Sequence, residues 1–329
     1  MGKGVFFFLL FLDMSARRYP VTQDIDGVKY ATAYRAEHIR EALSYMPEDG
    51  DIVLVSHAKC GNNWLQQIIQ LIIHRGQSAK NLAEFGRRTP FLELLGTGPV
   101  KRMVPPRFMK THFPYWEQPM NPKAKYVYIT RNPLDVCTSF YHYTKSVPVY
   151  KFEDGTFDDF FELFVTGENV RGDFFDHLKS WYDHKDDVNV FLVTYEELKK
   201  NFRATLLRLA RFLGEEYAQQ LHDHDRLYQM VVEKCSAPFM STLMDMTDDS
   251  IGFSEKNDDN PYLKALKRFV CDDSGTVRYT NHVRKAIVGD WKSLFKPEHL
   301  ERLRLRVQEK EVATILKALW SSQDLGSIV

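Results

Sequence analysis

The run Lys59–Trp64 (KCGNNW) puts a lysine, a glycine and a tryptophan where a strand-like stretch gives way to a helix-like one. Asp51–Ser56 (DIVLVS) reads as a buried strand, and Trp64–His74 (WLQQIIQLIIH) has the apolar spacing of a helix lying on a sheet. A strand, a glycine-containing turn and a helix start bring free backbone N–H groups and the positive helix end together, which is the chemistry of anion binding. Taken alone, the same run is also an ordinary connector with a solvated lysine. It lacks the GxxxxGK[ST] pattern, because Cys60 follows the lysine where a metal-nucleotide site needs a hydroxyl. The anion it suits is therefore one held without a metal ion.

Two further basic points lie downstream. Arg131 follows the apolar run Ala124–Thr130 (AKYVYIT), at the carboxyl end of a predicted strand, where α/β folds place ligands. Pairing with Asp135 is the alternative use of that arginine. Asn132 is placed to cap the next helix and Pro133 to start it, with Ser139 further along. Arg284 and Lys285 precede Gly289-Asp290-Trp291-Lys292. Three separated basic points, two of them at strand-to-helix turns, are what a nucleotide with phosphates at both ends of its ribose requires.

The elements that must position these residues alternate between short β-rich runs and helical ones. That pattern predicts an α/β fold with a central parallel sheet flanked by helices and a P-loop-like strand-loop-helix. Val188–Thr194 is a third strand. Helices are expected at Phe157–Val165, Phe174–His184, Phe202–Leu213 with Gly214 as its stop, and Pro297–Trp320. The polar stretch Thr242–Thr280 reads as a long loop with one embedded helix.

Composition narrows the function classes. The chain has 329 residues, 44% of them hydrophobic, with 44 basic and 44 acidic side chains, so a bulk positive field for nucleic acid is absent and any anion site is local. Four widely spaced cysteines without a CxxC pair fit reduced thiols in the cytoplasm better than a disulfide framework or a zinc site. Val5–Leu12 is apolar but far short of the about 20 residues that span a bilayer, and no cleavage site follows it cleanly. We expect a lead-in over residues 1–45 and one domain over 46–325.

Taken together and in order, these motifs resemble the cytosolic sulfotransferase family. The residues that carry the resemblance are Ser56–Trp64 (SHAKCGNNW), Lys110-Thr111-His112, Arg131–Tyr141 (RNPLDVCTSFY), Thr194–Leu198 (TYEEL) and Arg284–Lys292 (RKAIVGDWK). The resemblance implies 3′-phosphoadenosine-5′-phosphosulfate as donor, held without metal. It assigns Lys59 and the backbone of Cys60, Gly61, Asn62 and Asn63 to the 5′-phosphate, and Trp64 and Tyr195 to the adenine. Arg131, Ser139, Arg284 and Lys285 fall to the 3′-phosphate. His112 would be the general base toward a small hydroxyl acceptor, and Lys59, helped by Lys110, would stabilise the leaving phosphate. The rivals are a P-loop phosphotransferase, disfavoured by the missing hydroxyl after Lys59, and a nucleotide-binding module without catalysis, disfavoured by the presence of both Lys59 and His112.

The departures from the family pattern generate expectations of their own. Cys60, Asn62 and Asn63 replace hydroxyl residues; a thiol beside Lys59 at a helix start should ionise more readily, so that oxidation or alkylation blocks donor binding, and an inert thiol is the equal alternative. Adenine contacts fall on Cys235 and Ala237, Ala286 stands where a glycine is usual, and His282 where an aromatic residue is often found. Phe91, Phe113, Phe140, Tyr141 and Tyr143 are candidates for an acceptor pocket, suited to a phenol, a catecholamine or a steroid-like ring. The dimer motif is degraded to Lys292–Glu301 (KSLFKPEHLE), which leaves monomer and homodimer both open.

Overall fold

The computed structural model describes residues 18–247, 260–279, 282–320 and 325–329. The apolar run Val5–Leu12 and the middle of the long predicted loop lie outside the described residues. An antiparallel hairpin, β1 (Gln23–Ile25) and β2 (Val28–Tyr30), precedes four strands: β3 (Ile52–Val55), β4 (Phe108–Thr111), β5 (Lys125–Thr130) and β6 (Val190–Thr194). These four form a parallel sheet in the order β4-β3-β5-β6. Three of them match the predicted strands. β4 was not predicted as a strand, because four residues (FMKT) with a lysine among them carry little periodic signal.

The register matters more than the strand count. Val55 pairs with Thr111 on one side and Tyr128 on the other, and Thr130 pairs with Thr194. The carboxyl ends therefore share one edge of the sheet. Ser56, His112, Arg131 and Tyr195 are each the first residue beyond a strand, so four turns deliver their side chains to the same place. β3 has a neighbour on each side, and chain order reverses around it, which makes its carboxyl end a topological switch point of the kind where α/β sheets bind ligands.

Alternation along the strands separates two cores. Ile52, Leu54, Val127 and Ile129 join Leu65, Ile68, Ile69 and Ile72 of the Asn62–Ile73 helix in an aliphatic cluster. Val53, Val55, Tyr126 and Tyr128 face the opposite, aromatic cluster, where Tyr128 stacks on Trp181 at 5.5 Å. A period of two sends successive side chains to opposite faces, so one strand feeds both. The hairpin and the Ala36–Leu43 helix belong to the folded body as well, with Ala31, Ala42 and Tyr45 buried in the aromatic cluster.

Helices occur at Phe157–Thr166, Phe174–Tyr182 and Phe202–Leu213, close to expectation, and Asn132 caps Pro133–Ser146 by accepting from the Leu134 N–H at 2.9 Å. The predicted Pro297–Trp320 helix is instead two, Pro297–Glu309 and Ala313–Trp320. Glu311 breaks it with a left-handed φ of 56°. The turn lets the second piece bury Leu316 and Trp320, whose indole N–H donates to Glu196 at 2.8 Å. The helix predicted inside the long loop is Pro261–Val270. No helix among the described residues is long and apolar enough to cross a membrane.

Candidate active site

The turn after β3 is shaped by two left-handed residues, Lys59 (φ 68°) and Gly61 (φ 100°). Only glycine takes that conformation freely, and here space forbids a side chain too: a Cβ on Gly61 would lie 2.7 Å from Tyr195 Cδ2. The bare turn leaves the first N–H groups of the Asn62–Ile73 helix without intrahelical partners, a ready-made anion cradle. Asn62 spends its amide on Ser56, donating from Nδ2 to Oγ at 2.9 Å. Asn63 offers its oxygen to the Lys110 ammonium at 3.1 Å and keeps its N–H groups for a ligand.

Lys59 is partly buried, with its amine 4.3 Å from the centre of the Tyr143 ring. Burial, with Arg131 and Arg284 adding repulsion, pulls its pKa down to about 7. Lys110 is buried on β4, donates also to Gln66 Oε1 at 2.8 Å, and is lowered to about 8 by desolvation. Neither lysine has a carboxylate partner among the described residues.

His112 sits just beyond β4, with its Nδ1 2.6 Å from the Ser56 carbonyl oxygen. A carbonyl only accepts, so Nδ1 carries the proton and the lone pair is on Nε2. Burial and the nearby Arg171 guanidinium hold its pKa well below the usual histidine value. The ring lies edge-on to Phe91 at 5.0 Å, and its backbone N–H donates to Glu93 Oε1 at 2.7 Å. The result is a neutral imidazole fixed in one tautomer.

Beyond β5, Arg131 donates from Nη2 to the Ile287 carbonyl at 2.7 Å, sits 3.4 Å from Asp135 and lies over the Tyr195 ring at 4.5 Å. Its Nε is buried without a partner among the described residues. Asp135 also accepts from the N–H groups of Gly289 (2.8 Å) and Trp291 (3.1 Å), which pins the late signature against the Pro133–Ser146 helix. Arg284 and Lys285 both pair with Asp290, so a phosphate there exchanges with a carboxylate already in place. Ala286 takes a left-handed φ of 54°, the conformation a glycine would hold more easily. Trp64 donates to the Cys235 carbonyl at 2.8 Å, stacks on Phe202 at 6.2 Å and meets Tyr195 edge-on at 5.2 Å.

Lys59, Lys110, His112, Arg131, Arg284 and Lys285, with Ser139, open on one cavity of about 780 Å³. Every residue that the sequence assigns to the donor or to catalysis lies on its wall except Cys60. That thiol is fully buried and pushed up by desolvation, which favours the inert alternative over the reactive one. The helix-start argument ignored burial, and burial wins. Phe91, Phe140 and Tyr143 line the cavity as expected, whereas Phe113 is core and Tyr141 turns its hydroxyl to the Gly155 carbonyl at 3.3 Å. His282 stacks on Tyr143 at 6.1 Å. Sequence reasoning missed Glu93 and Arg171, which meet at 2.7 Å beside His112; no motif or spacing links two residues so far apart in the chain.

The profile of the sulfotransferase domain family matches residues 49–314. The chain is 30% identical over 284 residues to an amine sulfotransferase of Oryctolagus cuniculus, covering 84% of this chain and 85% of that one. It is 27% identical to sulfotransferase 1B1 of Mus musculus, covering 88% and 90%. Among solved structures it resembles a mouse sulfotransferase complexed with PAP, with a TM-score of 0.64, 26% identity, and coverage of 92% and 99%.

Proposed function

Because the chain belongs to the sulfotransferase family, we propose that it moves sulfuryl from 3′-phosphoadenosine-5′-phosphosulfate to the hydroxyl or amine of a small aromatic, catecholamine-like or steroid-like acceptor. The observation that carries the reading is the His112 tether: a neutral imidazole, locked by Ser56, on the wall of the cavity that also holds Lys59. Binding of the donor is supported by the fit of the residues present. The bare Gly61 turn, the unpartnered Nε of Arg131 and lysines without carboxylates call for a polyanion. Lys59 and the N–H groups of the following turn would hold the 5′-phosphate, and Arg131, Ser139, Arg284 and Lys285 the 3′-phosphate. Trp64, Tyr195, Cys235 and Ala286 would surround the adenosine.

The chemistry assigns each end a helper. His112 Nε2 takes the proton of the acceptor as its oxygen bonds to sulfur and the bond from sulfur to the bridging phosphate oxygen breaks. Lys59 faces the oxygen that gains charge as it leaves, and Lys110, held by Asn63 and Gln66, adds positive potential from β4. The catalytic unit is read as one domain over 46–325 joined by the hairpin and the Ala36–Leu43 helix, which pack into the same core, and cysteines without a CxxC pair suit the cytoplasm.

The test is transfer of labelled sulfate from the donor to a panel of phenols, catecholamines and sterols. His112→Ala should lower kcat by about 10²–10⁴-fold while calorimetry finds nucleotide binding intact. A wild-type protein that binds donor but transfers to no acceptor would instead be a binding module.

A further inference from the structure

The cavity wall is charged in one sense only. Among its described lining residues there are lysines and arginines but no aspartate or glutamate, although the chain as a whole is neutral. The donor accounts for most of those cations, which gather around Lys59, Arg131 and Arg284. It does not account for Arg171, which lies at the far end with Phe91, Tyr34 and His112.

Arg171 has a backbone φ of 76°, an orientation an arginine rarely adopts, and its N–H is fastened to the Lys29 carbonyl at 3.0 Å. The side chain is only 9% exposed as part of its residue and lies between the rings of Tyr34 (4.4 Å) and Phe91 (5.4 Å). Nη1 donates to Glu93 Oε1 at 2.7 Å, the same oxygen that accepts from the backbone of His112. Nη2 is buried with no hydrogen-bond partner among the described residues. The protein engages the guanidinium through Glu93 Oε1 and the Tyr34 hydroxyl, and Nη2 and Glu93 Oε2 remain the two buried polar atoms here without a hydrogen bond of good geometry among the described residues. Leaving a buried charged donor unmade is costly, and a planar oxyanion is the group that fits it. Arg278, the other arginine toward this end, is largely exposed and engaged with Asp272 at 2.7 Å.

We propose that Arg171 selects the acceptor: the preferred substrate carries a carboxylate in addition to the hydroxyl that His112 deprotonates. The Phe91 ring, flanked by both groups, is the platform under the acceptor between them. A cationic amine at the same place would leave Nη2 unpaired and face the guanidinium, with only the unpartnered Oε2 of Glu93, already paired to Arg171 through Oε1, to draw it in. This inference rests on the sulfuryl-transfer reading of the site.

Three acceptors of one shape test it: para-hydroxyphenylacetate, para-ethylphenol and tyramine, each with the phosphosulfate donor. Wild type should show kcat/KM falling in that order, with the acid ahead of tyramine by at least about tenfold through KM. Arg171→Gln should collapse that ratio by about tenfold or more, and Arg171→Lys should retain part of it. If removing the arginine alone strands buried Glu93 and unfolds the protein, the double variant Arg171→Met with Glu93→Gln removes the pair together and is read the same way. Tyramine equal to or better than the acid in wild type, or a ratio unchanged in the variants, overturns the proposal. Failure of all three acceptors, with nucleotide still bound, counts against sulfuryl transfer itself; turnover of para-ethylphenol separates the two failures.

Discussion

The two ends of the cavity are built by different means. The donor end is made largely of backbone and of residues one step beyond a strand: the bare turn at Gly61, Arg131 after β5, Tyr195 after β6. The acceptor end is made of side chains from separate segments, Tyr34 near the hairpin, Phe91 before β4, Arg171 between two helices, and Tyr262 and Phe269 on the Pro261–Val270 helix. Backbone geometry admits few substitutions and recognises a constant ligand. Side chains on scattered loops can change one at a time without moving the sheet, so they suit the variable partner.

If that division is real, donor-end changes should act alike on every acceptor. Lys59→Met removes the charge facing the leaving oxygen and should lower kcat by about 10²–10³-fold for all acceptors tested. A loss confined to one acceptor class would break the comparison. Gly61→Ala forces a Cβ against Tyr195 in a left-handed turn, and should cost about 1–3 kcal/mol of stability in denaturant melts and weaken binding of nucleotide; wild-type affinity in this variant would mean the turn adapts.

Proton linkage sharpens the same point. The depressed pKa of Lys59, about 7, means its amine loses a proton as pH rises through neutrality, with Lys110 following near 8. A polyanion favours both charged forms, so binding takes up protons. Affinity for nucleotide, measured by calorimetry, should be greatest below pH 7 and fall above it, by up to about tenfold per pH unit for each lysine deprotonated. Lys59→Met should flatten the first part of that slope. The smallest effect is expected at Ala286, where glycine should relieve the left-handed backbone and raise stability by about 1 kcal/mol, read as an upward shift in Tm.

The same contrast explains what could be read from sequence. The Lys59–Trp64 turn was legible because a strand, a glycine and a helix start are local and periodic, and Arg131 was legible for the same reason. β4 was not, being too short for a pattern, yet it carries Lys110 and leads into His112. Glu93 and Arg171 were invisible because their meeting is purely tertiary. The continuous helix expected over Pro297–Trp320 failed at Glu311, where burial of Trp320 outweighed the local preference to go on. For Cys60 the sequence left two readings open, because helix start and neighbouring lysine favour a thiolate; burial, which is tertiary, decides for the inert one, since a fully buried sulfur has no solvent to support a charge.

The short tether between His112 Nδ1 and the Ser56 carbonyl has a consequence for the end of each catalytic cycle. If His112 is the base, as proposed, a proton gained on Nε2 would find only the Ser56 carbonyl and hydroxyl on the anchored Nδ1 side, neither of them a better base than the imidazole. It must depart on the cavity side, through the space the sulfated product has just occupied. On that reading, recharging the base would be coupled to emptying the acceptor end, and the enzyme would become ready for a second acceptor only after the first had gone.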